Sequence, residues 1–150
     1  KKLAKHHRIK YLICYLCVNI KHIILKNPKA IKLINKLIDD VEHNGIITNT
    51  AVEDLQSLRP YAVEEKRPLL AKTIRLTFEH IEAYQTFDIP IPEEEPVEGY
   101  EEEFETEEGT FDPAESLLYL LNLIAEPENK TNRLDLRAYV EAMQEYAEEH

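Results

Sequence analysis

NPKAIKLINKLIDDVEHNG, residues 27–45, decides the fold class. Asn27 precedes Pro28, which joins a side-chain cap to a residue whose missing N–H costs nothing in a first helical turn. Ile31, Ile34, Leu37, Ile38 and Val41 then recur at spacings of three and four, along one face of a helix. Asn44-Gly45 supplies the stop.

The same signals recur downstream. Thr50-Ala-Val-Glu53 reads as a capping box, opening a short helix to about Leu58 that Pro60 ends. Pro68 then marks a first turn or a kink, followed by a stripe of Leu70, Ile74, Phe78 and Ile81 that runs on to Tyr84, with polar Thr77 beside it. Asp112-Pro113-Ala114-Glu115 repeats the cap, and Leu117, Leu118, Leu120, Leu121 and Ile124 make its helix apolar enough for deep burial. Pro127 breaks that helix. Thr131 or Asn132 caps a last one, with Leu136, Tyr139, Val140, Met143 and Tyr146 facing inward. Upstream, Ile9, Leu12, Ile13, Leu16, Cys17, Ile20 and Ile24 share a helical stripe, with a strand as the alternative.

With 43% hydrophobic residues the chain has a core to bury, and three glycines and two serines leave little turn chemistry for an all-β fold. The expectation is an all-α, irregular bundle of about five or six helices in one domain. Its parts are a basic apolar segment at 1–26, a helical part at 27–87, an acidic, proline-containing loop at 88–111 and a C-terminal helix pair at 112–150. Pro90, Pro92 and Pro96 suit an extended loop that is not packed.

Charge is strongly segregated. Lys and Arg are the only formal charges from Lys1 to Lys36, whereas Leu76 to Asn129 holds 17 Asp and Glu and no Lys or Arg. A net charge of −11 disfavours general binding to nucleic acid or anionic lipid. Locally, the basic start could still act as an arm for either, and that is the alternative function. It could equally lie against the chain's own acidic stretch.

Between Glu93 and Glu108 ten of sixteen residues are Glu, with Val97, Tyr100 and Phe104 interleaved at spacings of three and four. Those three can line one side of a helix formed on binding, with carboxylates on the others, a pattern suited to a basic-rimmed apolar groove. A solvated linker is the plainer reading of the same run. The leading function is therefore a non-enzymatic acidic protein-binding module, an adaptor or a charge-mimicking inhibitor. Val97, Tyr100, Glu101, Glu102, Glu103, Phe104 and Glu105 are its candidate contacts with a basic protein partner.

Catalytic and metal chemistry find no pattern to rest on. Cys14 and Cys17 have the spacing of a redox pair or half a zinc site, but read as small apolar residues of a helix. The six histidines make no His-Glu-x-x-His arrangement. Asp40 and His43 lie one turn apart as a lone pair, with His43 near a helix C-terminus. Glu79 and Glu82 beside His80 read as a solvated face, and Ser57 and Ser116 as ordinary helix serines. No cofactor and no metal is expected. Asn129-Lys-Thr131 matches a glycosylation sequon, relevant only in a secretory compartment. Two cysteines and no cleavage site after the basic start point to a reducing, cytoplasmic setting. Lys10 and Lys21 cut the apolar run too short for a membrane span. Since the sequence opens on Lys1 and has its one methionine at Met143, it reads as a fragment or as one with a displaced start.

Overall fold

The computed structural model describes residues 25–92 and 111–150. They form five helices and, among the described residues, no strand: α1 (Pro28–Asn44), α2 (Thr48–Glu64), α3 (Pro68–Tyr84), α4 (Pro113–Ala125) and α5 (Lys130–Glu149). The expected stripe over Ile9 to Ile24 lies outside the described residues, as do Cys14 and Cys17.

Two caps form as the sequence implies. The Asn27 side chain accepts from the Lys29 amide at 2.9 Å, and Asp112 does the same for Ala114 at 2.9 Å. Gly45 closes α1 with φ +70°, a left-handed conformation that a β-carbon would strain. Only Ile46 and Ile47 then remain before α2, and Ile46 packs on the core, so the chain becomes helical at Thr48. The Thr50 box is thus not the start: Ile47 is the N-cap, with no side-chain bond.

Nor does Pro60 end α2. The helix continues to Glu64 because Leu58 and Ala62, on either side of the proline, are fully buried. Pro60 itself faces solvent, as does Gln56, whose carbonyl loses its helical donor and can turn to water. The last helix starts earlier than Thr131 or Asn132 suggests. Asn129 caps it, accepting from the Thr131 amide at 3.1 Å, while the Asn132 side chain donates to the Glu126 carbonyl at 2.8 Å.

Pairings between helices define the direction of each. Near the start of α1, the Lys26 and Asn27 amides donate to Glu65 at the end of α2, and further along Lys36 meets Asp54 at 2.6 Å, so the two run antiparallel. Three residues then turn the chain back into α3. Between α4 and α5, Ser116 faces Tyr139, Tyr119 faces Asp135 and Glu126 faces Asn132, again antiparallel. By contrast α3 and α5 run the same way: Lys72 meets Gln144, His80 meets Tyr146 and Tyr84 meets His150. Thus α1, α3 and α5 rise and α2 and α4 descend around one core.

Because α3 packs against both α2 and α5, its buried face is broader than the sequence stripe. Thr73, Thr77 and His80 are buried with Leu70, Ile74 and Ile81, whereas Phe78 is only half-buried. The threonines are satisfied within the helix, donating to the carbonyls of Leu69 and Thr73 at 2.9 and 2.8 Å.

The start of the acidic loop corrects another expectation. Ile89, inside the 88–111 loop, is 1% exposed and follows the fully buried Phe87, so the loop begins as packed core and not as free extended chain. Ser116 Oγ donates to the Ile89 carbonyl and lies 2.9 Å from Tyr139 Oη, which places Ser116 at a buried polar joint. Replacing Ser116 with Ala leaves that carbonyl without its donor. A stability loss of about 1–3 kcal/mol is expected in urea unfolding, against about 1 kcal/mol for Asp112→Ala at the neighbouring cap. A Ser116→Ala protein as stable as the parent would show that the joint does not hold the loop.

Candidate functional site

The helix directions convert a linear charge order into a spatial one. On α1, Lys29, Lys32 and Lys36 precede Asp39, Asp40 and Glu42. On α3, Lys72 and Arg75 precede Glu79 and Glu82, and on α5, Lys130, Arg133 and Arg137 precede Glu141, Glu145, Glu148 and Glu149. All of these except half-buried Asp40 are exposed. As the three helices rise together, their cations gather at one end of the bundle and their carboxylates at the other. Descending α2 fits the same scheme, with Glu53 and Asp54 early and Arg59 late. Glu64, Glu65, Glu126, Glu128 and Asp135 depart from it: Glu65 and Glu128 lie against Arg67, and Asp135 accepts from Tyr119 Oη at 2.6 Å.

This order opposes helix electrostatics. Cations near an N-terminus and carboxylates near a C-terminus each cost about 0.3–1 kcal/mol where exposed. The ion pairs Lys36–Asp40 at 4.0 Å and Arg75–Glu79 at 3.8 Å also have the cation N-terminal, the weaker orientation. The backbone dipoles of α1, α3 and α5 point their positive ends to the cationic end, so they add to the side-chain polarity.

At the cationic end a recess of about 670 Å³ opens between α2 and α3. Arg59, Lys66, Arg67, Lys72 and Arg75 line it, with Val63, Pro68 and Ala71 as its apolar part. One cation is tied down: Arg67 lies 3.4 Å from Glu65 and 2.6 Å from Glu128, and Glu65 in turn accepts from the Lys26 amide at 2.7 Å. Lys72 donates to Gln144 at 3.1 Å. Arg59 and Lys66 form no ion pair among the described residues, and Arg59 Nε is buried without an acceptor. Sequence reasoning placed the basic surface at residues 1–36 and missed this one. Its signal was present, five cations between Arg59 and Arg75, but only the α2–α3 turn puts them on one recess.

That turn is a Schellman motif. The Arg67 amide donates to the Ala62 carbonyl at 3.0 Å and the Lys66 amide to Val63 at 3.0 Å. Glycine usually fills the left-handed position, yet here it is Lys66, at φ 55°.

The sequence-derived contacts Val97, Tyr100, Glu101, Glu102, Glu103, Phe104 and Glu105 lie outside the described residues. The residues flanking them do not. Pro92 follows the buried Ile89, and Phe111 precedes the α4 cap, so both belong to the carboxylate end. Among the described residues no three His, Cys, Asp or Glu side chains come together as a metal site, and no helix is long and apolar enough to cross a membrane. His43 partners Asp39 and not Asp40: its Nδ1 is 2.8 Å from the Asp39 carbonyl and 3.3 Å from its carboxylate. Those contacts raise its pKa in an exposed position.

His80 has the opposite setting. Only 4% exposed, it packs against Tyr84, Phe87 and Tyr146, with ring centroids 4.7, 5.6 and 4.8 Å away. Its Nε2 is buried without a hydrogen-bond partner. Burial lowers its pKa from the ordinary 6.5, offset in part by the Asp88 carboxylate. The unfolded chain therefore takes up this proton more readily than the folded one, so stability falls as pH drops below 6.5 toward the lowered value. His80→Phe should lose less stability than the parent between about pH 7.5 and pH 5 in urea unfolding. Parallel losses in the two proteins would refute the assignment. Comparison of the chain with known protein families, with curated proteins and with solved structures found no match in any of the three.

Proposed function

We propose that this protein is a non-enzymatic binding module of a reducing, cytoplasmic compartment that captures a basic protein partner at its carboxylate end. The observation that carries this reading is the gathering of Glu79, Glu82, Glu141, Glu145, Glu148 and Glu149 at the end of the bundle from which the Glu93–Glu108 stretch departs. Carboxylates collected on one end attract a basic partner from a distance and orient its approach. Val97, Tyr100 and Phe104 would supply the apolar contacts, and Phe111, 43% exposed at the flank, extends them.

A second reading assigns binding to the other end. Lys26, Lys29 and Lys32 join residues 1–24 to the cationic end of the bundle, which favours an arm for nucleic acid or anionic lipid. Removing residues 1–10 would then abolish binding to DNA or anionic vesicles, and would leave capture of a basic protein intact.

Affinity capture from an extract of the native host separates the two. The intact chain should retain a basic protein at low salt and release it at high salt. Changing Glu101, Glu102, Glu103 and Glu105 to Gln should slow association with that protein and flatten its salt dependence. Equal capture by the parent and the Gln variant would reject the acidic stretch as the binding surface.

A further inference from the structure

The geometry points to a second binding site, in which the recess between α2 and α3 takes an acidic segment of a partner protein, with an apolar side chain of that segment seated on Val63 and Ala71. This site is separate from the carboxylate end, and the two can succeed or fail independently.

The first support is a mismatch of charge. The chain carries 29 Asp and Glu against 18 Lys and Arg, so a cation on its surface should readily find a carboxylate. At this recess only Arg67 and Arg75 do so, while Arg59 and Lys66 form no ion pair among the described residues. Arg59 Nε is buried with no acceptor, and a buried donor left unpaired is costly. Arg59 lines the recess, so a carboxylate entering it would meet a guanidinium that has no ion pair among the described residues.

Shape and chemistry favour a peptide over other anions. The recess cations run from Arg59, more than a turn inside α2, through Lys66 in the connecting turn, to Arg75, about two turns into α3, so they are spread along the recess and do not converge on one point. That spread suits an elongated ligand with repeated carboxylates better than a single phosphate. Val63 is 52% exposed among these cations, an apolar patch with a charged rim. Such a patch fits a segment that mixes carboxylates with apolar side chains.

The backbone at the rim agrees. Lys66 holds a left-handed conformation at a helix end where glycine would be relaxed. Gln85 does the same at the end of α3, at φ 59°, so the conformation marks no site by itself; at Lys66 it sets a cation where glycine would be relaxed.

Fluorescence anisotropy with the intact chain tests the proposal. The probe is a fluorescein-labelled peptide of glutamates with leucine at every fourth position, compared with its all-glutamine counterpart and with a single-stranded oligonucleotide. The glutamate peptide should bind, more weakly as salt rises, and the other two should bind at least about tenfold more weakly. Arg59→Gln with Lys66→Gln should weaken peptide binding by about tenfold. Lys29→Gln with Lys32→Gln, the same change of charge on α1, should leave it unchanged. Lys66→Gly separates function from folding, since it should raise the unfolding midpoint while weakening the peptide. Equal losses in the two double variants would overturn the site in favour of the field of the whole molecule. Tightest binding of the oligonucleotide, lost in Arg59→Gln with Lys66→Gln and kept when residues 1–10 are removed, would make the recess a nucleic-acid surface. Self-association in sedimentation, dispersed by the peptide, would make the occupant a second copy. No binding of the glutamate peptide would end the proposal.

Discussion

The parallel pairing of α3 with α5 is the constraint on which the other features of this protein depend. Thr77 approaches Met143 Sδ at 3.9 Å, and His80 packs edge-on to Tyr146. Adjacent parallel helices need a return stroke between them, and α4 supplies it, held to α5 through Ser116 and Tyr139. Burying α3 on two sides places polar side chains in the interior. The two threonines are tolerated because each hydroxyl bonds to its own helix. His80 is tolerated because a neutral imidazole among aromatic rings sheds its charge.

Parallel helices make charge order along the chain equivalent to charge position in space. Were α5 antiparallel to α3, the carboxylates of one would lie beside the cations of the other and the surface would be mixed. Instead the three rising helices reinforce one another and their own backbone dipoles. Each pays a local electrostatic penalty for this, since its cations sit early and its carboxylates late. The local rule is broken in the same sense on three helices, the reverse of the order that favours each helix by itself.

Where reading and structure part, tertiary packing has outweighed a local signal. Pro60 is a strong helix breaker by itself, yet its cost is one exposed carbonyl, which water can satisfy, while the burial of Leu58 and Ala62 holds the helix together. Ile89 opens a proline-rich acidic run and looks like part of it, but it is apolar, and the space beside Ser116 and Tyr139 takes it in with Phe87. The caps at Asn27 and Asp112 were legible because each is a bond between near neighbours. Asn132 was misread because its side chain reaches back to Glu126, across a turn that the sequence does not display.

The sequence by itself determined that the chain is helical, where its most strongly patterned helices lie, and that charge of one sign is concentrated in each part. Periodicity, caps and charge runs act over a few residues, and a few residues suffice to read them. Only the tertiary structure decided which helices run the same way, that His80 and Ser116 are buried, and that Arg59, Lys66, Arg67, Lys72 and Arg75 share one recess. Those outcomes depend on how apolar faces pack across the core, and that packing brings together residues whose spacing in sequence carries no trace of their meeting.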